Sequence, residues 1–131
     1  TTGNPYGHLV LRGGNRGTNY HPQAIQDSAK ELSGAGLPDR LMVDCSHGNS
    51  NKDYRRQGEV LEAVAAQVDQ KLDHIMGVMV ESHLVEGNQK LSADRSSLTY
   101  GQSVTDACIS IETTAELLEK LAAAVAKARF S

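Results

Sequence analysis

The chain has 131 residues, 39% of them hydrophobic, so it can bury one modest core and a single domain is its default organisation. Its formal net charge is −3 at pH 7, and its interspersed acidic and basic residues leave no basic stripe for a nucleic acid backbone. No apolar run approaches the roughly 18 residues that a membrane span requires. We therefore expect neither a nucleic acid nor a membrane as a partner.

Three short apolar runs predict parallel strands with helices between them. The first strand is followed by a glycine-rich turn and a helix that begins near Pro22, and the second by a helix with apolar residues at three- and four-residue steps. The third run is apolar throughout, which is typical of a strand covered on both faces. The predicted elements are a strand at 8–12, a helix at 24–32, a strand at 41–47, a helix at 54–72 and a strand at 75–81.

The stretch from Ser82 to Ile111 shows no clear periodicity, and a segment of this length in a compact domain is usually functional or disordered; we favour a functional loop. A capping-box pattern at 113–116 then predicts a closing helix that continues to about Ala128. The predicted order is β-α-β-α-β-loop-α.

Three polar residues each close one of the apolar runs at a regular spacing. Arg12 precedes His47 by 35 residues, and His47 precedes Glu81 by 34. A strand, a turn, a covering helix and a return loop take roughly 30 or more residues, so this spacing indicates consecutive βαβ units. The three side chains then lie at the C-terminal ends of strands, where α/β proteins place their sites.

These residue types suit a metal ion and an anion. His47 and Glu81 offer an imidazole and a carboxylate on adjacent strands, and Asp106 could fold back from the loop as a third ligand. Such a donor set suits Mn²⁺, Fe²⁺ or Zn²⁺ better than Ca²⁺, although His47 could instead be a hydrogen-bonded structural residue. Arg12 precedes two glycines and could bind a phosphate or carboxylate in bidentate fashion, the alternative being a surface or salt-bridged arginine.

Cys45 and Cys108 form neither a metal-finger spacing nor a disulfide framework, which fits a reducing cytoplasm. We expect both cysteines to be small core residues. Among the histidines other than His47, we keep only His83 as a candidate neighbour of the site. The chain begins at Thr1 without a signal-peptide pattern, and we interpret it as the interior of a longer polypeptide.

Four segments, in this order, closely resemble the C-terminal part of the microbial type I 3-deoxy-D-arabino-heptulosonate 7-phosphate (DAHP) synthases of aromatic amino-acid and chorismate biosynthesis. The resemblance covers essentially the whole chain, including the initial TTGNP. The segments are LVLRGG at 9–14, DCSHGNS at 44–50, GVMVESHLVEGNQ at 77–89 and LTYGQSVTDACI at 98–109.

The resemblance implies an α/β fold of the (β/α)8 TIM-barrel type, in which residues 1–131 form a single partial domain with the last three βα units. From the pattern alone an open sheet is the alternative. The implied reaction is the condensation of phosphoenolpyruvate with erythrose 4-phosphate and water to give DAHP and phosphate, the first step of the shikimate pathway. The implied setting is the cytoplasm, and the implied assembly is a homo-oligomer, either a dimer or a tetramer.

The family holds a divalent metal ion, Mn, Fe, Zn or Co, with Cys, His, Glu and Asp ligands. His47, Glu81 and Asp106 match three of these, whereas the cysteine belongs to an early strand that this sequence lacks. Arg12 matches the LRGG arginine that contacts phosphoenolpyruvate. The resemblance thus implies catalytic roles for His47 and Arg12 and substrate contacts for Arg12 and Asp106.

Two alternatives stay open for this chain. Because one metal ligand and five of the eight barrel strands are missing, we expect the isolated chain to be inactive, and it could be a proteolytic remnant or an association module. A related barrel enzyme, 3-deoxy-octulosonate 8-phosphate synthase, performs the same condensation on a different sugar.

Overall fold

The computed structural model describes residues 2–130, which form a parallel three-stranded sheet and three α-helices. The strands are adjacent in chain order, and both neighbouring pairs are parallel. The sheet consists of β1 (Leu9–Leu11), β2 (Leu41–Asp44) and β3 (Ile75–Met79). The helices are α1 (Pro22–Gly34), α2 (Gln57–Asp69) and α3 (Ile111–Phe130). The predicted α/β order is confirmed.

The segment between β3 and α3, predicted to be a loop, contains short strands. Two parallel pairs organise it, β4 with β7 and β5 with β6. These strands are β4 (Ser82–His83), β5 (Val85–Asn88), β6 (Gln102–Ser103) and β7 (Ile109–Ser110). Because β7 runs parallel to β4 and leads directly into α3, the closing helix follows a short strand that was not predicted, and the described residues contain the strand–helix pairs β1–α1, β2–α2 and β7–α3.

One hydrophobic core joins the sheet to all three helices. Alternate residues of β2 and the turn after it, Leu41, Val43 and Cys45, are fully buried in it, as the period of two in a strand requires. The predicted stripe of α2 also lies in the core, with Val60, Leu61 and Val64 buried.

The boundaries of several predicted elements are wrong by a few residues. The three sheet strands end at Leu11, Asp44 and Met79, so the polar residues that follow lie in turns rather than on strands. The predicted helix 54–72 is a 3-10 turn at Tyr54–Arg56 followed by α2.

Two further predictions fail at β3 and α3. β3 is only partly covered, with Met76 48% exposed, because it is an edge strand of the sheet in residues 2–130. The closing helix starts at Ile111 rather than in the capping box, because the hydroxyl of Ser110 accepts from the Thr113 amide at 3.1 Å.

Within residues 2–130, none of the helices combines the length and the apolar character needed to span a membrane.

Candidate functional site

A cavity of about 700 Å³ opens at the C-terminal ends of the sheet strands. It is lined by residues of the turns after β1 and β2, by the residue two positions after β3, and by the segment between β6 and β7. All four residues proposed from the sequence, Arg12, His47, Glu81 and Asp106, line it. The expected clustering of these side chains at one edge of the sheet is therefore present.

Three of them present potential ligand atoms to one point. One nitrogen of His47 and one carboxylate oxygen each of Glu81 and Asp106 lie within 4.8 Å of one another. His47 Nε2 is 3.7 Å from Glu81 Oε1. An imidazole with two carboxylates is a donor set for a divalent transition metal, so the residues present fit such an ion. Their role as ligands stays a prediction.

The orientation of His47 is set by the turn in which it lies and by a buried aspartate. Its backbone is left-handed, with φ 46°, and its carbonyl accepts from the Lys52 amide at 2.8 Å. Its Nδ1 lies 2.7 Å from Oδ2 of Asp44, while the other oxygen of Asp44 accepts from the Ser46 amide at 2.8 Å. Asp44 therefore engages Nδ1 and leaves Nε2 directed towards Glu81.

Glu81 is held at its side chain and at its backbone. The hydroxyl of Ser46 donates to Glu81 Oε2 at 2.6 Å. The fully buried side chain of Gln57 bonds to both the amide and the carbonyl of Glu81. The carboxylate consequently has one oxygen bonded to Ser46 and the other facing His47.

Asp106 is exposed, but hydrogen bonds on both sides fix its segment. Asn88 donates through Nδ2 to the Thr105 carbonyl at 2.8 Å. On the other side, Gly87 and Cys108 exchange backbone hydrogen bonds of 2.8 and 3.1 Å. The fold-back of this segment towards Glu81 agrees with the sequence prediction.

Arg12 follows β1 directly and lines the same cavity. Its side chain is exposed to the cavity, and within residues 2–130 it forms no ion pair, which removes the salt-bridged alternative. The next residue, Gly13, has φ +68°, and a Cβ there would lie 2.6 Å from the carbonyl carbon of Gly48. The absence of a side chain at Gly13 thus lets the turn that carries Arg12 pack against the turn that carries His47.

A buried asparagine joins these two turns. Asn49 donates through Nδ2 to the carbonyls of Leu11 at 3.0 Å and Asp44 at 2.8 Å, which are the last residues of β1 and β2. Its Oδ1 accepts from the Asn19 amide at 2.8 Å. The side chain therefore uses both polar ends to fix the relative position of the two strand ends.

Of the predictions for Cys45, Cys108 and His83, the structure agrees fully only with that for Cys45. Cys45 is a core residue as predicted, and burial, with the charge of Asp44 adding to it, raises the pKa of its thiol to about 12. Cys108 is only partly buried. Desolvation raises the pKa of its thiol, and the charge of Glu81 adds to this effect. His83 is exposed and is not among the cavity residues; its Nδ1 accepts from the Leu84 amide.

The sequence profile of the DAHP synthetase I family matches residues 1–119. The chain belongs to the DAHP synthetase I family. This agrees with the family to which the four sequence segments pointed.

Individual relatives support the DAHP synthetase assignment. The chain is 54% identical over 121 residues to the Tyr-sensitive phospho-2-dehydro-3-deoxyheptonate aldolase of Salmonella typhimurium, which covers 92% of the chain. It is 48% identical over 125 residues to the Trp-sensitive enzyme of Escherichia coli K12, which covers 95% of the chain. The structure of phospho-2-dehydro-3-deoxyheptonate aldolase from Francisella tularensis matches with a TM-score of 0.89 and 44% identity, covering 98% of the chain.

The chain spans about a third of these relatives: 34% of the Salmonella protein, 35% of the Escherichia coli protein and 37% of the Francisella chain.

The sequence does not indicate the buried polar residues that support the candidate site. Asp44, Asn49 and Gln57 are almost completely buried although they are polar. The only available signal was the position of the first two inside the DCSHGNS motif. The partners of Asp44 lie two and three positions away, whereas those of Asn49 and Gln57 lie up to 38 positions away and are visible only in the fold.

Proposed function

We propose that this chain is the C-terminal part of a DAHP synthase, which condenses phosphoenolpyruvate with erythrose 4-phosphate and water to give DAHP and phosphate. The observation that carries the proposal is the convergence of His47, Glu81 and Asp106 in one cavity with Arg12, in a chain of this family. The activity would belong to the full-length protein and open the shikimate pathway of aromatic amino-acid biosynthesis.

We also propose that residues 1–131 form one partial (β/α)8 barrel domain containing its last βα units. The three adjacent parallel strands, with a helix after β1 and after β2, and the short strand β7 directly before α3 support this arrangement. The apolar edge also supports it, because Leu9 and Val10 of β1 are 37% and 40% exposed and would be covered by further strands.

The proposed cofactor is one divalent metal ion, Mn, Fe, Zn or Co, held by His47, Glu81 and Asp106. When bound, it would supply Lewis-acid polarisation of the aldehyde oxygen of erythrose 4-phosphate. A cysteine outside this chain would be the fourth ligand, as the family resemblance implies.

The residues of this chain would order the ligands and the substrate. Asp44 holds Nδ1 of His47, so that Nε2 stays directed into the cavity. Ser46 restricts the rotation of the Glu81 carboxylate. Asp106, with its exposed carboxylate at the cavity wall, would lie beside both the ion and the substrate.

Arg12 would hold the anionic phosphoenolpyruvate while carbon 3 of this substrate attacks the aldehyde carbon. Water then adds at carbon 2, and phosphate leaves from the resulting tetrahedral centre. A guanidinium fork matches a carboxylate or phosphate in bidentate fashion, so Arg12 would fix the orientation of the nucleophile as well as bind its charge. In these roles His47 and Arg12 are the catalytic residues of the chain.

Replacing Arg12 with lysine tests the anion contact. Arg12→Lys keeps the charge but loses the fork, so we expect the KM for phosphoenolpyruvate in the full-length enzyme to rise roughly ten- to a hundredfold. Arg16, which is exposed in the same glycine-rich turn but does not line the cavity, gives the matched control Arg16→Lys. Equal KM values in the two variants would contradict the contact.

Product analysis tests the proposed reaction itself. The full-length protein is given phosphoenolpyruvate with erythrose 4-phosphate or with a five-carbon aldose phosphate, and the acid formed is identified by mass spectrometry. We expect the seven-carbon DAHP from the first pair. An eight-carbon acid from the second pair alone would indicate the octulosonate reaction, and no product from either pair would favour a non-catalytic association module.

We further propose that the full-length protein is a cytoplasmic homo-oligomer, either a dimer or a tetramer. The unpaired cysteines and the exposed apolar side chains support this setting and assembly. Light scattering on the purified full-length protein gives the assembly, and a monomeric mass would contradict it.

A further inference from the structure

Both polar atoms of the Gln57 side chain are bonded to a single residue, Glu81. The amide of Glu81 donates to Gln57 Oε1 at 2.7 Å, and Gln57 Nε2 donates to the carbonyl of Glu81 at 3.1 Å. Gln57 is the first residue of α2 and is 0% exposed. Breaking either bond would leave a polar group without its partner inside the protein, so the pair fixes the position of the Glu81 backbone.

The Glu81 amide needs such a contact because the three-stranded sheet does not reach it. The parallel ladder between β2 and β3 ends at the pair of Asp44 and Met79, two residues before Glu81. Beyond that point, the Gln57 side chain bonds to the Glu81 amide, which the ladder with β2 no longer reaches.

The same carbonyl of Glu81 also fixes the segment that carries Asp106. It accepts a second hydrogen bond from the amide of Ile109 at 3.0 Å. Ile109 begins β7 three residues after Asp106, and it is buried. The carbonyl of Glu81 therefore connects Gln57 to both segments that carry the carboxylates, that of Glu81 and that of Asp106.

We propose that Gln57 is a positioning residue of the candidate metal site. It holds the Glu81 peptide and, through the shared carbonyl, the Asp106 segment, so that both carboxylates stay at a fixed distance from His47 Nε2. Gln57 itself is not among the residues that line the cavity. The inference rests on the metal site of the proposed function.

The chain offers a matched control on the same helix. Gln67 is also buried, at 4% exposed, and its Nε2 donates to the carbonyls of Tyr20 at 2.9 Å and Ala63 at 3.1 Å. It lies near the opposite end of α2 and has no contact with the cavity residues among its hydrogen bonds. A change at Gln67 therefore reports the general cost of losing a buried glutamine from α2.

The experiment measures metal affinity in the full-length protein. Metal-free wild type, Gln57→Met and Gln67→Met are titrated with Mn²⁺, and the dissociation constant is read from the electron paramagnetic resonance signal of free Mn²⁺. We expect Gln57→Met to weaken Mn²⁺ binding about tenfold or more, as loss of residues that hydrogen-bond to metal ligands does. We expect the Mn²⁺ dissociation constant of Gln67→Met to stay within about twofold of that of the wild type. The absorption spectrum of bound Co²⁺ should change only in Gln57→Met.

Gln57→Glu provides a second variant if Gln57→Met does not fold. It keeps the acceptor for the Glu81 amide but places a second oxygen against the Glu81 carbonyl, so we expect weaker Mn²⁺ binding in this variant too. Folding of every variant is checked by circular dichroism.

The outcomes separate this inference from the proposed function. Wild-type affinity in the folded Gln57 variant, or equal weakening by Gln67→Met, overturns the positioning role provided that His47→Ala has lost affinity. If His47→Ala also binds Mn²⁺ like the wild type, the metal site of the proposed function is wrong.

Discussion

Replacing His47 with alanine is expected to reduce the turnover of the full-length enzyme by about 10³-fold or more and to weaken its binding of divalent metal. His47 provides the one nitrogen among the three clustered donors, and Asp44 holds its ring so that Nε2 faces Glu81. Lewis-acid stabilisation of a transition state is worth several kcal/mol, and each 1.36 kcal/mol corresponds to about a factor of ten in rate. Steady-state kinetics and metal analysis of the purified variant check this result.

Two companion variants make the His47 result specific. Since His47 has φ 46°, an alanine there is strained, whereas asparagine tolerates the left-handed region. We therefore expect His47→Asn to be the more stable variant and still to lose most of its activity. His83→Ala removes an exposed histidine outside the cavity and should behave like the wild type. Normal turnover and metal content in His47→Ala would rule out the ligand role.

Replacing Gly13 with alanine is expected to lower the free energy of unfolding by about 3 kcal/mol. The left-handed backbone, with φ +68°, costs an alanine about 1–2 kcal/mol. The new Cβ would also lie 2.6 Å from the carbonyl carbon of Gly48 and 2.7 Å from the amide of Asn49, and overpacking of this kind costs about 1–3 kcal/mol. Denaturant unfolding of the full-length protein measures the change.

Gly14 supplies the control for Gly13. A Cβ at Gly14 would have no heavy atom within 4 Å, so Gly14→Ala should change stability little. Because the clash at Gly13 pushes the turn of Arg12 away from the turn of His47, we also expect Gly13→Ala to raise the KM for phosphoenolpyruvate. Equal stability of the two alanine variants would show that the close approach of these turns is not important.

The central part of the fold was predictable because it is encoded locally. The runs that became β1, β2 and β3 are apolar and end near glycines or polar turns, and α1 and α2 have Pro22 or a clear apolar stripe to mark them. The segment from β4 to β7 was not predictable, because its strands of two to four residues are mostly polar and lack the apolar runs that mark β1 to β3. The start of α3 was missed because the serine that caps it, Ser110, lies just before the stronger pattern at 113–116.

The candidate site divides in the same way. The regular spacing of Arg12, His47 and Glu81 predicts that they share one edge of the sheet, and Asp106 is proposed as a third ligand folding back from the loop, in agreement with the family resemblance. Apart from the local contact between Asp44 and His47, the supporting contacts have no local signature, because they depend on two distant segments being packed together. The bonds between Gln57 and Glu81, for example, join residues 24 positions apart through a helix start and a strand end.

The metal dependence of the condensation tests the central claim most directly. The full-length protein is treated with a chelator, dialysed and assayed for DAHP formation from phosphoenolpyruvate and erythrose 4-phosphate, before and after addition of Mn²⁺, Fe²⁺, Zn²⁺ or Co²⁺. We predict that activity is lost on chelation and returns with at least one of these ions in wild type but not in His47→Ala. Full activity in the metal-free wild-type protein would contradict the assignment of His47, Glu81 and Asp106 as a metal site.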